Sequence, residues 1–202
     1  MKPLSEIEED AFKEIFNIGV GHAADSFSRM VNQPVRLSVP TLKFLYGKQV
    51  ISGMPNLDRG SCSMVIQSFL GGFSADGMFL FSDDASLELV RLLIGKDVPI
   101  SEMRELEQEA FIEVGNILFN SCVSVISDML GIRFQCGIPR YLSGQFSQLV
   151  PETDNSDNCL LLLNIDFVVE SVQIHGYIMF LMKLDSVDLI MRAIAKYMGS
   201  HQ

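Results

Sequence analysis

A series of residues recurs 99 positions further along this chain. Asp10-Ala11-Phe12 returns as Glu109-Ala110-Phe111, Glu14 as Glu113, Asn17 as Asn116, Met30 as Met129, Pro40 as Pro139 and Gly77 as Gly176. Just upstream, Pro3-Leu4-Ser5-Glu6 returns as Pro99-Ile100-Ser101-Glu102 at an offset of 96, so the second copy carries a short insertion near its helix start. Self-similarity at a fixed period means one supersecondary unit used twice, and each unit buries apolar surface against the other.

Each copy reads as a long helix, a strand, a polar loop, two more strands and a shorter helix. In the first, the pattern predicts a helix over Leu4 to Met30, strands near Val35 to Val50, Cys62 to Leu70 and Phe73 to Phe81, and a helix near Ala85 to Ile94. In the second it predicts a helix over Ser101 to Leu130, strands near Ile132 to Leu142, Cys159 to Val168 and Val172 to Leu181, and a helix near Leu184 to Met198. Ser5 and Ser101 are expected helix N-caps. Turn-rich loops fall at matching places, Gly53-Met54-Pro55-Asn56 and Pro151-Glu152-Thr153-Asp154-Asn155. Gly71-Gly72 reads as a hairpin turn, since no Lys-Ser or Lys-Thr follows to make a phosphate loop.

The joint at Gly95-Lys96-Asp97-Val98-Pro99 is too short to separate two beads. The expectation is therefore an α+β fold: one domain over residues 1–202, made of two α-β-β-β-α repeats (about 3–95 and 99–198) that share a sheet system about a pseudo-two-fold axis.

With 48% apolar residues the chain can fill a full-sized core. A formal charge of -10 disfavours nucleic acid, which needs Lys and Arg to replace condensed counterions, and suits a protein partner with a basic patch. The start is acidic and lacks a secretory layout, and the apolar stretch from Cys159 to Val169 is broken by Asn164 and Asp166, so a cytoplasmic protein with no membrane span is expected. Cys62, Cys122, Cys136 and Cys159 read as reduced core thiols, and His22, His175 and His201 are too dispersed for a metal cluster.

On a helical wheel Asp10, Glu14, Asn17 and Gly21 fall within about 60° of one another, opposite Phe12, Phe16, Ala23, Phe27 and Met30. In the second long helix Glu109, Glu113, Asn116 and Asn120 take the same stripe, with Phe111, Cys122, Ile126 and Met129 on the core side. Other outward-leaning positions differ between the copies: Lys13 against Ile112, His22 against Ser121, Asp25 against Ser124, Arg29 against Asp128. Packing explains why an apolar pattern survives duplication, but not why an exposed Glu and Asn one turn apart do. A shared chemical task does.

These residues resemble the signature of the CheC/CheX/FliY family: Asp or Ser, three residues, Glu, two residues, Asn, twenty-two residues, Pro. Asp10, Glu14, Asn17 and Pro40 fit it in full, and Glu113, Asn116 and Pro139 repeat it, with Glu109 where Asp or Ser is usual. Having two sites and stopping at Gln202, the chain is most similar to the two-site CheC members. The resemblance implies a phosphatase for the aspartyl-phosphate of a CheY-like chemotaxis response regulator, with Mg²⁺ held by that regulator and no cofactor bound by this chain. It gives Glu14, Asn17, Glu113 and Asn116 the catalytic roles. Asn would hold the attacking water while staying uncharged, and Glu would pair with a lysine of the regulator. Asp10, Gly21, Glu109 and Asn120 would support the sites or touch the partner. Family members also bind the receptor deamidase CheD, so a non-enzymatic adapter, or a module that sequesters the phosphorylated regulator, is the alternative.

Overall fold

The computed structural model describes residues 6–39, 41–45, 60–72, 74–94, 99–131, 133–149, 158–169 and 172–200. The elements are α1 (Glu6–Val31), β1 (Val35–Ser38), β2 (Leu42–Leu45), β3 (Ser61–Leu70), β4 (Ser74–Ser82), α2 (Asp83–Ile94), α3 (Ile100–Leu130), β5 (Gln135–Cys136), β6 (Arg140–Gln145), the single turn α4 (Phe146–Leu149), β7 (Asn158–Val169), β8 (Val172–Lys183) and α5 (Leu184–Ser200). Ser5, Pro40, the linker at 95–98 and the loops at 53–56 and 151–155 lie outside the described residues.

All the strands join one antiparallel sheet in the order β1-β7-β8-β4-β3-β5, with β2 also on β7 and β6 also on β3. Exchanging each strand for its counterpart about 99 residues away turns this order into its own reverse. At the centre Phe79 pairs with Ile178, its own counterpart at that offset. The arrangement is compatible with internal duplication.

β7 shows why these strands read as nearly unbroken apolar runs: both faces are covered. Leu161, Leu163, Ile165 and Phe167 enter the large core beneath α1, α2, α3 and α5, while Leu160 and Leu162 enter a second cluster with Met64, Met78, Leu80 and Phe146. Gly77 and Gly176 admit rings against the central strands. A Cβ at Gly77 would lie 2.9 Å from Phe69 and Phe119, and one at Gly176 would lie 2.4 Å from Phe81. By length and hydropathy alone Ser101–Met129 of α3 would pass for a membrane span. In this fold its Phe111, Val114, Leu118 and Phe119 are buried against the sheet.

Several expectations are corrected. The strand expected over Val35 to Val50 is two short strands, with residues 46–50 undescribed, and that over Ile132 to Leu142 is also two. The chain leaves the ladder at Val39, whose N–H is used elsewhere, and at Gly137 to Pro139, where proline has no N–H to give. Ser101 does not cap α3: Pro99 holds the N-cap position, without a side-chain cap, and its carbonyl accepts from Met103 N–H at 3.0 Å. Met30 is 39% exposed. The wheel put it on the core side, but it lies in the last turn of α1, beyond Phe27 and its contact with Phe167. The four cysteines, all among the described residues, form no disulfide, and Cys136 is exposed because β5 is a two-residue edge strand. The hairpin at Gly71-Gly72 is present, joining Leu70 to its partner Ser74.

Candidate functional site

α1 and α3 cross in direct contact, and glycine makes the crossing possible. A Cβ at Gly19 would stand 2.7 Å from Cys122 Cα. Phe12, Phe16 and Val20 of α1 and Phe111, Leu118 and Cys122 of α3 are buried between the helices and the sheet, which turns the polar stripes outward.

In α1, Asp10, Glu14 and Gly21 are exposed and Asn17 is half-buried. In α3, Glu109, Glu113 and Asn120 are exposed and Asn116 is half-buried. Among the described residues neither Glu14 nor Glu113 has an ion-pair or hydrogen-bond partner, so both carboxylates are available to a cation from outside. A Cβ at Gly21 would meet nothing within 4 Å, so packing does not require glycine there. Exposed Ile18 adds an apolar contact beside Asn17.

The two asparagines are held differently. Asn17 Oδ1 accepts from the backbone N–H of Val39 at 3.0 Å. Val39 is buried and immediately precedes Pro40, so the bond ties Asn17 to the far end of the twenty-two-residue interval between Asn and Pro. It also decides which way the amide points. An N–H can face only the oxygen, so Nδ2 is the end turned outward. In α3, Asn116 Oδ1 instead accepts from Asn120 Nδ2 at 3.0 Å. The spacing was legible in sequence; the backbone donor was not, because periodicity says nothing about loop N–H groups.

A second polar cluster escaped the sequence reading. Glu107 is buried, and its Oε1 accepts from Ser86 Oγ at 2.8 Å and Ser63 Oγ at 2.5 Å, while Tyr141 and Ser63 hydroxyls lie 3.0 Å apart. Arg104 approaches Glu107 Oε2 at 3.6 Å and forms a two-pronged pair with Asp83 at 2.8 and 3.1 Å. These groups bound an open cleft of about 510 Å³. The hydrogen bond from Arg104 holds the Asp83 carboxyl below its ordinary range, opposed by partial burial. Burial first, and the Asp83 charge second, push the Cys62 thiol up to about 11. A signal did exist: Glu107 sits four residues from both Met103 and Phe111, on the apolar face of its helix. The cluster ties α2, α3, β3 and β6 together and leaves the Glu and Asn stripes free.

Comparison with known proteins bears on the fold and on the segment that carries the first site. The model of the CheC-like family matches residues 7–44, which contain α1 with Glu14 and Asn17 and run through β1 to Phe44 of β2. The CheY-P phosphatase CheC of Bacillus subtilis (strain 168) is 24% identical over 152 residues, covering 74% of this chain and 72% of that protein. Thermotoga maritima FliY superposes with a TM-score of 0.76 at 21% identity, over 100% of both chains. The CheX of a CheX-CheY-BeF3-Mg²⁺ complex from Borrelia burgdorferi gives 0.54 at 16% identity, over 85% of this chain and 98% of that one. With its signature segment matched by the CheC-like model and its fold shared with FliY, the chain resembles the CheC/CheX/FliY family.

Proposed function

We propose that this chain hydrolyses the aspartyl-phosphate of a CheY-like response regulator in the cytoplasm, acting as one domain of two repeats (about 3–95 and 99–198) with a site on each of α1 and α3. The observation that carries the reading is the paired stripe: an exposed, unpartnered Glu and a half-buried Asn with its carboxamide oxygen engaged, one turn apart, on both long helices. A phosphatase of that name among the relatives, and a CheY complex among the structural neighbours, support it.

In the reaction, water attacks phosphorus in line, the bond to the aspartyl oxygen breaks, and inorganic phosphate leaves. The transition state needs little covalent help and is sensitive to placement. Asn17 Nδ2, turned outward by the Val39 bond, donates to the water oxygen and leaves its lone pair aimed at phosphorus. An uncharged amide does this without repelling the phosphoryl oxygens. Glu14, one turn earlier, pairs with a lysine beside the phosphoryl group and fixes the approach of the helix. Mg²⁺ belongs to the phosphorylated regulator. Orientation of this kind is worth several kcal/mol of barrier.

The test is phosphate release from a phosphorylated receiver domain by the unmodified chain, Asn17→Ala, Asn116→Ala and the double variant. Partial loss in each single variant and near-complete loss in the double variant are expected. Undiminished hydrolysis by the double variant would sink the mechanism, and no hydrolysis by the unmodified chain would favour the adapter.

A further inference from the structure

We propose that Asn120 is the positioning residue of the second site, supplying from a side chain the hydrogen bond that the first site takes from the backbone of Val39. The inference rests on the reading of Asn17 and Asn116 as the residues that hold water.

The two bonds have the same acceptor and the same length. Oδ1 of Asn17 accepts from Val39 N–H at 3.0 Å, and Oδ1 of Asn116 accepts from Asn120 Nδ2 at 3.0 Å. In the first site Val39 can only donate, so Nδ2 of Asn17 is the outward end; in the second, Asn120 engages the oxygen of Asn116 and leaves Asn116 Nδ2 free. The donor changes because the loop that provides it has changed. Ile138, the counterpart of Val39, is 86% exposed, whereas Val39 is 1% exposed. Around Ile138 the loop is tied to β3: Gly137 N–H donates to Ser68 O at 2.7 Å and Gln67 Nε2 donates to Gly137 O at 3.0 Å. Among the described residues no hydrogen bond joins Ile138 to Asn116.

The difference between Gly21 and Asn120 then acquires a reason. Position 21 has open space around it, so a side chain there would fit, yet none is needed while Val39 performs the task. Position 120 carries the residue type that can replace a lost amide donor from one turn away on the same helix face. Asn120 touches neither water nor phosphate in this scheme; it acts by engaging Asn116 Oδ1 and holding the carboxamide in place.

The experiment uses the full chain with Asn17→Ala, so that only the second site reports, and measures steady-state hydrolysis of a phosphorylated receiver domain. Adding Asn120→Ala is expected to lower kcat about tenfold with little change in KM, because the released Asn116 carboxamide then holds its donor on the water only about a tenth of the time. Adding Asn120→Asp is expected to do at least as much, since a carboxylate accepts from Nδ2 and turns the amide over. Asn120→Gln, which keeps an amide donor, should restore part of kcat. Unchanged kcat for Asn17→Ala with Asn120→Ala overturns the assignment while leaving the phosphatase reading intact. So does an Asn17→Ala chain that is already inert beside an active unmodified chain, because the second site then has no activity to position. An inert unmodified chain overturns the phosphatase reading itself, and the assignment with it.

Discussion

Asn17 and Val39 are joined by a 3.0 Å hydrogen bond from backbone N–H to carboxamide oxygen, fastening the proposed catalytic residue of α1 to the chain that leaves β1. The bond is asymmetric by necessity: reversing the amide would set two donors face to face. Substitutions at Asn17 can therefore separate the acceptor that faces Val39 from the donor that faces outward.

Asn17→Asp keeps the acceptor and deletes the donor. In an Asn116→Ala background, hydrolysis is expected to fall about 10²-fold, the scale of a misplaced reacting group. Stability should stay within about 0.5 kcal/mol, because a carboxylate accepts from Val39 N–H at least as well as an amide does. Parallel phosphate-release and urea-unfolding curves check this. A fall in stability matching the fall in rate would make Asn17 a structural residue.

Gly19 and Gly21 lie in the same helix and should respond in opposite directions. Gly19→Ala places a Cβ 2.7 Å from Cys122 Cα and should cost about 1–3 kcal/mol, since two backbones must part. Gly21→Ala meets nothing and should gain about 0.5–1 kcal/mol of helix stability. If the regulator's surface closes over Gly21, the same change raises KM. Thermal melts and receiver-domain titration measure the two effects separately.

Glu107→Ala removes the acceptor shared by Ser63 and Ser86 and should cost roughly 2–4 kcal/mol, given that bonds to a buried charge are stronger than neutral ones. Glu107→Gln retains an acceptor and should cost less than half as much. Hydrolysis per folded molecule should be unaltered in both variants, as this cluster lies apart from the Glu and Asn stripes. Denaturant midpoints with matched activity assays provide the check.

Thiol labelling at pH 8 should find one fast cysteine. Cys136 is exposed, whereas Cys62, Cys122 and Cys159 are buried. With its pKa pushed up to about 11, Cys62 is about one part in a thousand thiolate at that pH, and Cys122, at about 12, is lower still. The sign follows from burial, which disfavours the charged form, so buried-thiol labelling should climb only as pH rises toward those values. Cys136→Ser should abolish the fast phase, and denaturant should release the other three thiols together.

Much of this fold is written in local pattern. α1 and α3 announce themselves by a 3.6-residue period carried over many turns, and β3, β4, β7 and β8 by apolar runs closed by turn residues. The outward stripe was legible for a further reason: residues recurring 99 positions apart let one half of the sequence serve as a control for the other. What stayed hidden depends on partners distant along the chain. That Val35 would meet Val169 is a matter of register, on which the composition of neither strand bears. Glu107 was passed over because its hydroxyl partners come from β3 and α2, and Met30 because a wheel indicates direction without saying where the underlying sheet stops.

Strand pairing between the halves also governs the order in which the chain can mature. Among the described strands β1 and β2 pair only with β7, and β7 begins at Asn158, so the first strands to be synthesised wait for more than half the protein before their ladder can form. Long-range closure of this kind is slow and leaves edges open meanwhile. A fragment ending before Asn158 would keep α1 and lose the strand on which β1 and β2 close. A single repeat produced alone would expose the edge of β3, ready to accept β1 and β2 from a second copy of itself.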